Sequence, residues 1–177
     1  MGFSDLTVID FDTIELHNIT SQCYKASQIG MAKVDALAQV CKEFSEIDIK
    51  PVNSSDLYRP TPIIISCVDN MDLRLQLIDM CQSDQIVIEW RMSWVAFEIR
   101  TFETTAMNKK IYKEEQWFPQ SEVEAPPCTE KSVAFNTFHI SSIIWQLVRS
   151  IVTWYEYNWF ISWDLLNELR FTSQPFS

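Results

Sequence analysis

Glycine is nearly absent from this 177-residue chain, which holds only Gly2 and Gly30. Phosphate-binding loops use closely spaced glycines because side chains would keep backbone amides away from the anion. No G-x-G-x-x-G occurs, so the chain has no local phosphate cradle of that kind, which argues against an NAD-dependent enzyme. Basic residues are also few, 14 Lys and Arg against 24 Asp and Glu for a net charge of -10, and they are scattered. A nucleic-acid partner would require a dense cationic surface, so none is expected. The five cysteines, at 23, 41, 67, 81 and 128, form no CxxC and leave one over in any pairing, which points to a reducing, cytoplasmic setting. Four cysteines in two CxxC pairs, as a structural zinc would need, are missing, and no such zinc is expected. No basic segment followed by an apolar run opens the chain, so no secretory signal is read there. The most membrane-like stretch, Ile140 to Phe160, contains Arg149 and Glu156 and is rich in Trp and Tyr, so it reads as a core or interface helix and no membrane partner is expected.

What the chain does have is enough length and apolar content, 47%, for one domain with a substantial core. Its most informative stretch is Leu6 to Lys33. Leu6-Thr7-Val8-Ile9 reads as a short buried strand and runs directly into Asp10 and Asp12. In a doubly wound nucleotide fold an acid at the carboxyl end of a strand accepts hydrogen bonds from ribose. The same two acids also suit the capping of a turn. A helix is predicted over Met31 to Phe44 with Val34, Leu37, Ala38 and Cys41 inward, which puts Lys33 in its first turn. A cation there opposes the helix dipole and suggests a nearby anion, although surface lysines are common.

Further along, Ile47 to Val52 alternates as a strand, and Asn53 to Pro62 is turn chemistry. Pro62 to Val68 is a continuous apolar run that fits a strand buried on both faces of a parallel sheet. Asp69 and Asn70 follow, then a helix from Met71 to about Cys81 with Leu73, Leu77, Ile78 and Cys81 inward. Asp69 reads either as the helix N-cap or as a ligand-binding acid in the crevice at the strand's carboxyl end. Gln85 to Glu89 is a short strand, and Trp94 to Phe102 alternates with Val95, Phe97, Ile99 and Thr101 on one face, as in an antiparallel edge. From Asn108 to Glu124 the chain is mixed and charged, and Lys109, Lys110, Lys113, Glu114 and Glu115 read as a solvated face. Pro126 and Pro127 force an extended approach to Cys128, after which a long helix is predicted from Lys131 to Tyr157. Cys128 therefore stands just before a positive helix end, where a thiolate is stabilised, although a small buried residue with Thr129 as cap also fits. Trp159 to Phe171 alternates weakly, as edge strands would.

The ordered series Asp10-Phe11-Asp12, Thr13-Ile14-Glu15, Asn18-Ile19, Ser21-Gln22 and Gly30-Met31-Ala32-Lys33, followed by Cys67-Val68-Asp69-Asn70 and Arg74, resembles the ThiF/MoeB/HesA adenylyltransferases and the ubiquitin-activating enzymes built on the same domain. Ser21 stands where the family carries a nucleotide-binding Arg, and the first strand with its Gly-rich turn is lacking. The segment around Pro126 to Thr129 is similar to the family's thioester-cysteine segment.

That resemblance implies an α/β fold with a Rossmann-like, mostly parallel sheet, flanking helices, an antiparallel edge and a long C-terminal helix. Residues 1–177 would form one ThiF-like domain, divided into a nucleotide-binding-like sheet (1–105), a crossover loop with Cys128 (106–130), and a C-terminal helix with edge strands (131–177). The implied chemistry is activation of the C-terminal carboxylate of a ubiquitin-like or sulfur-carrier protein by Mg-ATP. Asp10 would hold the ribose, with Asp12 also on the nucleotide, Asn18 and Gln22 would line the phosphate site, Lys33 would neutralise phosphate charge and Asp69 would position the magnesium ion. Cys128 would be a candidate acyl acceptor. The alternative is a degenerate, non-catalytic interaction subunit. Either version implies a homodimer or a second chain that completes the fold.

Overall fold

The computed structural model describes residues 5–19, 22–56, 60–92, 96–123, 134–164 and 172–173, and only the backbone of 134–136 and 172–173. The chain divides into two compact units, Met1–Leu57 and Tyr58–Ser177.

In the first unit, β1 (Thr7–Ile9) pairs in parallel with β2 (Lys50–Val52), Thr7 opposite Lys50 and Ile9 opposite Val52. Parallel neighbours need a long crossover, which α1 (Lys33–Ser45) supplies by packing on β2. The strand predicted from Ile47 is shorter at its start, and the helix buries Val34, Ala36 and Val40 against the expected set of Val34, Leu37, Ala38 and Cys41, of which the last three are half-buried. Ile14 and Ile49 join this core. The helix ends at Glu46, which adopts left-handed φ of 56° and donates its amide to the Lys42 carbonyl.

The second unit is a five-stranded sheet in the order β3 (Ile63–Ser66), β4 (Ile86–Met92), β5 (Ala96–Glu103), β6 (Phe160–Asp164) and β7 (Thr172–Ser173). β3 and β4 are parallel and are joined through α2 (Met71–Met80), while the remaining pairings are antiparallel. Ile65 is 43% exposed, so β3 is not buried on both faces as its apolar run suggests. Among the described residues β3 stands at the end of this sheet and pairs with β4 alone, which accounts for that. β5 is flanked by β4 and β6 and buries residues on both faces, including Arg100 and Phe102 on the face that alternation assigned to solvent.

Ile78, Cys81, Val87, Phe102 and Tyr112 make a core on one side of this sheet, with Ile64, Leu75, Trp117 and Trp159 packed around them. Tyr112 comes from the mixed, charged stretch whose Lys110, Lys113, Glu114 and Glu115 are exposed. That stretch forms α3 (Ala106–Ile111) and a π-helical turn (Tyr112–Gln116) that lays Tyr112 against Phe102 with ring centroids 5.5 Å apart. The helix α4 (Ala134–Val152) packs on β4 and β5, burying Ile140, Ile143 and Leu147. It stops five residues short of the predicted Tyr157 because Trp154 takes left-handed φ of 59° and the Tyr155 amide reaches back to the Ser150 carbonyl at 3.0 Å, the pattern of a Schellman end.

A buried polar row crosses this sheet. Ser66, Glu89 and Arg100 stand opposite one another on β3, β4 and β5. Glu89 is fully buried and accepts from Tyr112 Oη at 2.7 Å and from Arg91 Nε at 2.8 Å, with Arg74 Nη1 at 3.5 Å. Arg100 Nε donates to Gln116 Oε1 at 2.8 Å, and its Nη2 donates to Glu98 at 2.7 Å. Burial raises the Tyr112 phenol far above its ordinary value, and the charge of Glu89 and its hydrogen bond act in the same direction.

Candidate functional site

The acids that follow β1 are held by a reversal that depends on Gly30. Gly30 has φ of +87°, a conformation that side-chain-bearing residues rarely adopt, and its amide donates to the Ile14 carbonyl at 2.9 Å. Met31 then accepts from the Ile14 amide, and Lys33 donates its amide to the Asp12 carbonyl at 2.9 Å. This antiparallel contact brings the first residue of α1 beside the Asp-Phe-Asp stretch. Lys33 Nζ lies 2.6 Å from Asp12 Oδ2. The anion that the sequence suggested near this cation is therefore, within the unit, Asp12.

Asp12, Thr13, Glu15, His17, Asn18 and Lys33 line a cavity of about 260 Å³. Asn18 is buried in a 3-10 turn (Leu16–Asn18), and its Oδ1 accepts from the Glu15 amide at 2.8 Å. His17 Nδ1 sits 3.4 Å from Glu15 Oε2. The lining carries the carboxylates of Asp12 and Glu15 against the one ammonium of Lys33, so it suits a hydroxyl-rich or cation-bearing ligand better than a bare polyanion.

Asp10 is half-buried just beyond β1, and its Oδ1 accepts from the Asp12 amide at 2.8 Å, so the turn-capping role expected of this pair is filled by Asp10. Burial pushes the nearby Tyr24 phenol above its ordinary value, and the charges of Asp10 and Cys23 add to the rise. Gln22 is exposed and joins the turn through its backbone amide, which donates to the Asn18 carbonyl at 2.9 Å, but it is not among the cavity-lining residues. The structure thus gathers Asp12, Asn18 and Lys33 around one cavity, while Asp10 is not among its lining residues and is tied to the Asp12 amide.

In the second unit, Asp69 is exposed beyond the carboxyl end of β3. The alternative reading of Asp69 as N-cap does not hold, because Asn70 takes that role and accepts from the amides of Asp72 and Leu73 at 2.9 and 3.0 Å. Among the described residues no group of three or more His, Cys, Asp or Glu is placed to hold a metal ion. A lone Asp69 is still compatible with magnesium, which keeps most of its waters and takes one or two carboxylates together with phosphate oxygens. Cys128 and Ser21 lie outside the described residues.

Sequence reasoning missed Thr13, Glu15 and His17, which also line the cavity. Thr13 and Glu15 belong to the matched motif, which carried their signal, whereas nothing local marks His17. Among the described residues no helix is long and apolar enough to cross a membrane.

An adenylyltransferase and sulfurtransferase, MOCS3-2 of Zea mays, is 28% identical over 89 residues, 45% of this chain and 18% of the relative. Ubiquitin-like modifier-activating enzyme 5 of Drosophila grimshawi is 26% identical over 113 residues, 52% of this chain and 27% of the relative. The chain therefore matches only a fifth to a quarter of those proteins' length. Among solved structures, E. coli MccB with ATP superposes with a TM-score of 0.63 at 15% identity, covering 97% of this chain and 56% of that one, which shows a shared Rossmann-like fold. The ThiF family pattern matches residues 1–158, a span that contains β1, the acid pair, Lys33 and the β3–α2 junction, and the chain belongs to the ThiF family.

Proposed function

We propose that this chain is an adenylylation module that activates the C-terminal carboxylate of a ubiquitin-like or sulfur-carrier protein with Mg-ATP. The observation that carries the reading is the cavity itself: Asp12, Asn18 and Lys33, three residues of one family motif, converge on it at the carboxyl end of β1. In the reaction a carboxylate oxygen attacks the α-phosphorus, the bond to the pyrophosphate leaving group breaks, and the products are an acyl-adenylate and pyrophosphate. Asp10 and Asp12 serve the ribose, Asn18 and Gln22 line the phosphate path, and Lys33 leaves Asp12 to neutralise charge developing on phosphate. Asp69 supplies a magnesium carboxylate. Cys128 then accepts the acyl group as a thioester, its thiolate attacking the carbonyl as AMP leaves. A Gly-rich segment, on the same polypeptide or on a second chain, completes the phosphate contacts.

The support for ATP comes from family membership and from the likeness to MccB, whose structure was solved with ATP. Calorimetric titration with Mg-ATP, beside Asp69→Ala, tests the reading. Micromolar binding, about 8 kcal/mol, that is lost in the variant is the expected result. Absence of binding both alone and with the Gly-rich segment added overturns it.

A second reading, a non-catalytic interaction subunit, is favoured by one observation. Lys33 is already paired with Asp12 at 2.6 Å in a lining with an excess of carboxylate, which disfavours polyphosphate. Pyrophosphate exchange in the presence of the carrier protein separates the two, because only the adenylylating module incorporates labelled pyrophosphate into ATP.

A further inference from the structure

His17 lines the cavity of the first unit, and the reaction proposed above makes no use of it. It lies in the 3-10 turn Leu16–Asn18, which is closed on itself. The Asn18 amide donates to the Glu15 carbonyl at 3.0 Å, the Ile19 amide to the Leu16 carbonyl at 3.3 Å, and the Glu15 amide to Asn18 Oδ1 at 2.8 Å. The backbone on both sides of His17 is therefore fixed, and the imidazole is carried at the cavity by a braced turn.

The lining contains two groups able to carry positive charge, and they are held differently. Lys33 Nζ is 2.6 Å from Asp12 Oδ2, and its side chain is 16% exposed. His17 Nδ1 is 3.4 Å from Glu15 Oε2, a looser contact, and its side chain is 59% exposed. An incoming anion meets the imidazole at the surface, whereas the ammonium must first leave Asp12.

The charge of the lining decides what the cavity accepts. Asp12 beyond β1 and Glu15 on the turn bring carboxylates, and Lys33 on α1 brings one ammonium, so negative charge is in excess when His17 is neutral. A protonated His17 balances it. Imidazole is the side chain whose ordinary titration falls between about pH 5 and 8, so His17 is the group that adjusts this balance. The carboxylate excess that weighs against polyphosphate thus belongs to one protonation state of His17.

We infer that His17 is a phosphate-binding residue of this cavity: its imidazolium donates through Nε2 to a phosphate oxygen of ATP, and nucleotide affinity rises as pH falls. The inference rests on the ATP reading above, to which it adds the residue that lets an acid-lined cavity admit phosphate. Nδ1 stays toward Glu15, and Lys33 supplies the second cation once it leaves Asp12.

The test compares the full chain with His17→Gln, which is polar and neutral, and His17→Lys, which is charged throughout. Mg-ATP and adenosine affinities are measured by calorimetry between about pH 5.5 and 8, with thermal denaturation to check that each variant is folded. The terminal phosphate of ATP titrates in the same range, but equally for all three proteins, so the ratio of wild-type to variant affinity isolates His17. The expected ratio of wild type to His17→Gln is close to one at the alkaline end and grows to about tenfold at the acid end, the scale of one charge-assisted contact. His17→Lys binds Mg-ATP more tightly than His17→Gln by a factor that does not change with pH, and adenosine, which has no phosphate, binds all three alike. A wild-type to His17→Gln ratio that is constant with pH, or a His17→Lys no tighter than His17→Gln, overturns the inference and leaves the ATP reading intact. Adenosine affinity with the same pH profile assigns His17 to the nucleoside and overturns it as well. A wild-type chain that binds no Mg-ATP, alone or with the Gly-rich segment added, removes the ATP reading itself and the inference with it.

Discussion

Lys33 Nζ sits 2.6 Å from Asp12 Oδ2 while the Lys33 amide donates to the Asp12 carbonyl, so one residue is tied twice to the other. Asp12 is half-exposed, and solvent-screened pairs contribute about 1 kcal/mol or less, so the ion pair is a small part of stability. Removing a cation from the first turn of α1 also relieves an unfavourable dipole contact. Lys33→Ala should therefore shift unfolding free energy by less than about 1 kcal/mol while weakening Mg-ATP binding at least ~10-fold. Urea denaturation and calorimetry on the same preparation check both. Unchanged nucleotide affinity would leave Lys33 as a bridge to Asp12 and nothing more.

Glu89→Gln should be among the most damaging single changes. The carboxylate lies among Arg74, Arg91 and Arg100, and its loss leaves buried guanidinium charge without its counterion. Breaking a buried pair in this way costs about 3–5 kcal/mol, which denaturant titration would show directly.

Alkaline stability follows from Tyr112. Its folded-state pKa is raised above the ordinary 10.0 by burial first, then by Glu89. The neutral phenol therefore contributes stability that is fully present below about pH 10 and lost as pH rises, because the unfolded chain gives up the proton first. The loss approaches about 1.4 kcal/mol per pH unit for one such group. Burial also raises the Cys81 thiol, which adds a loss of the same sign beginning near its ordinary 9.0. Denaturation between pH 8 and 11 should show this decline, and Tyr112→Phe should flatten its upper part.

Trp154→Gly should stabilise the end of α4. Trp154 is 96% exposed and takes a left-handed conformation that costs an ordinary residue about 1–2 kcal/mol, a cost glycine avoids. Glycine's greater freedom in the unfolded chain offsets part of the gain, leaving about 0.5–1 kcal/mol. A rise in melting temperature is the readout, and a fall would mean that the indole makes contacts worth more than the backbone strain.

The order of elements from β1 to α2 was legible because each carries its own local signal: an apolar strand ending in acids, Lys33 opening an amphipathic helix, and an apolar run followed by a capping side chain. Even there the cap proved to be Asn70 and not Asp69, since adjacent acceptors cannot be ranked without the backbone path. Pairings between distant residues were not legible. Asp12 with Lys33, and Met71 with Gln120, depend on how the chain folds back. Buried charges were hidden for another reason: Arg74, Glu89 and Arg100 each interrupt an apolar pattern, and nothing local announces the partners that let them be buried. The end of α4 was misplaced because the left-handed turn that stops it is made by a tryptophan, where a glycine would have announced it.

The polar row of Ser66, Glu89 and Arg100 also acts as a registration mark for assembly of the sheet. β3, β4 and β5 are otherwise rich in interchangeable isoleucine, valine and phenylalanine, which would tolerate several alignments. A slip of one residue sends every side chain of a strand to the opposite face, and would drive Glu89 into the layer now filled by Ile88, Ile99 and Ile161 without a guanidinium to meet it. Competing alignments thereby become unstable, and the sheet has one way to close.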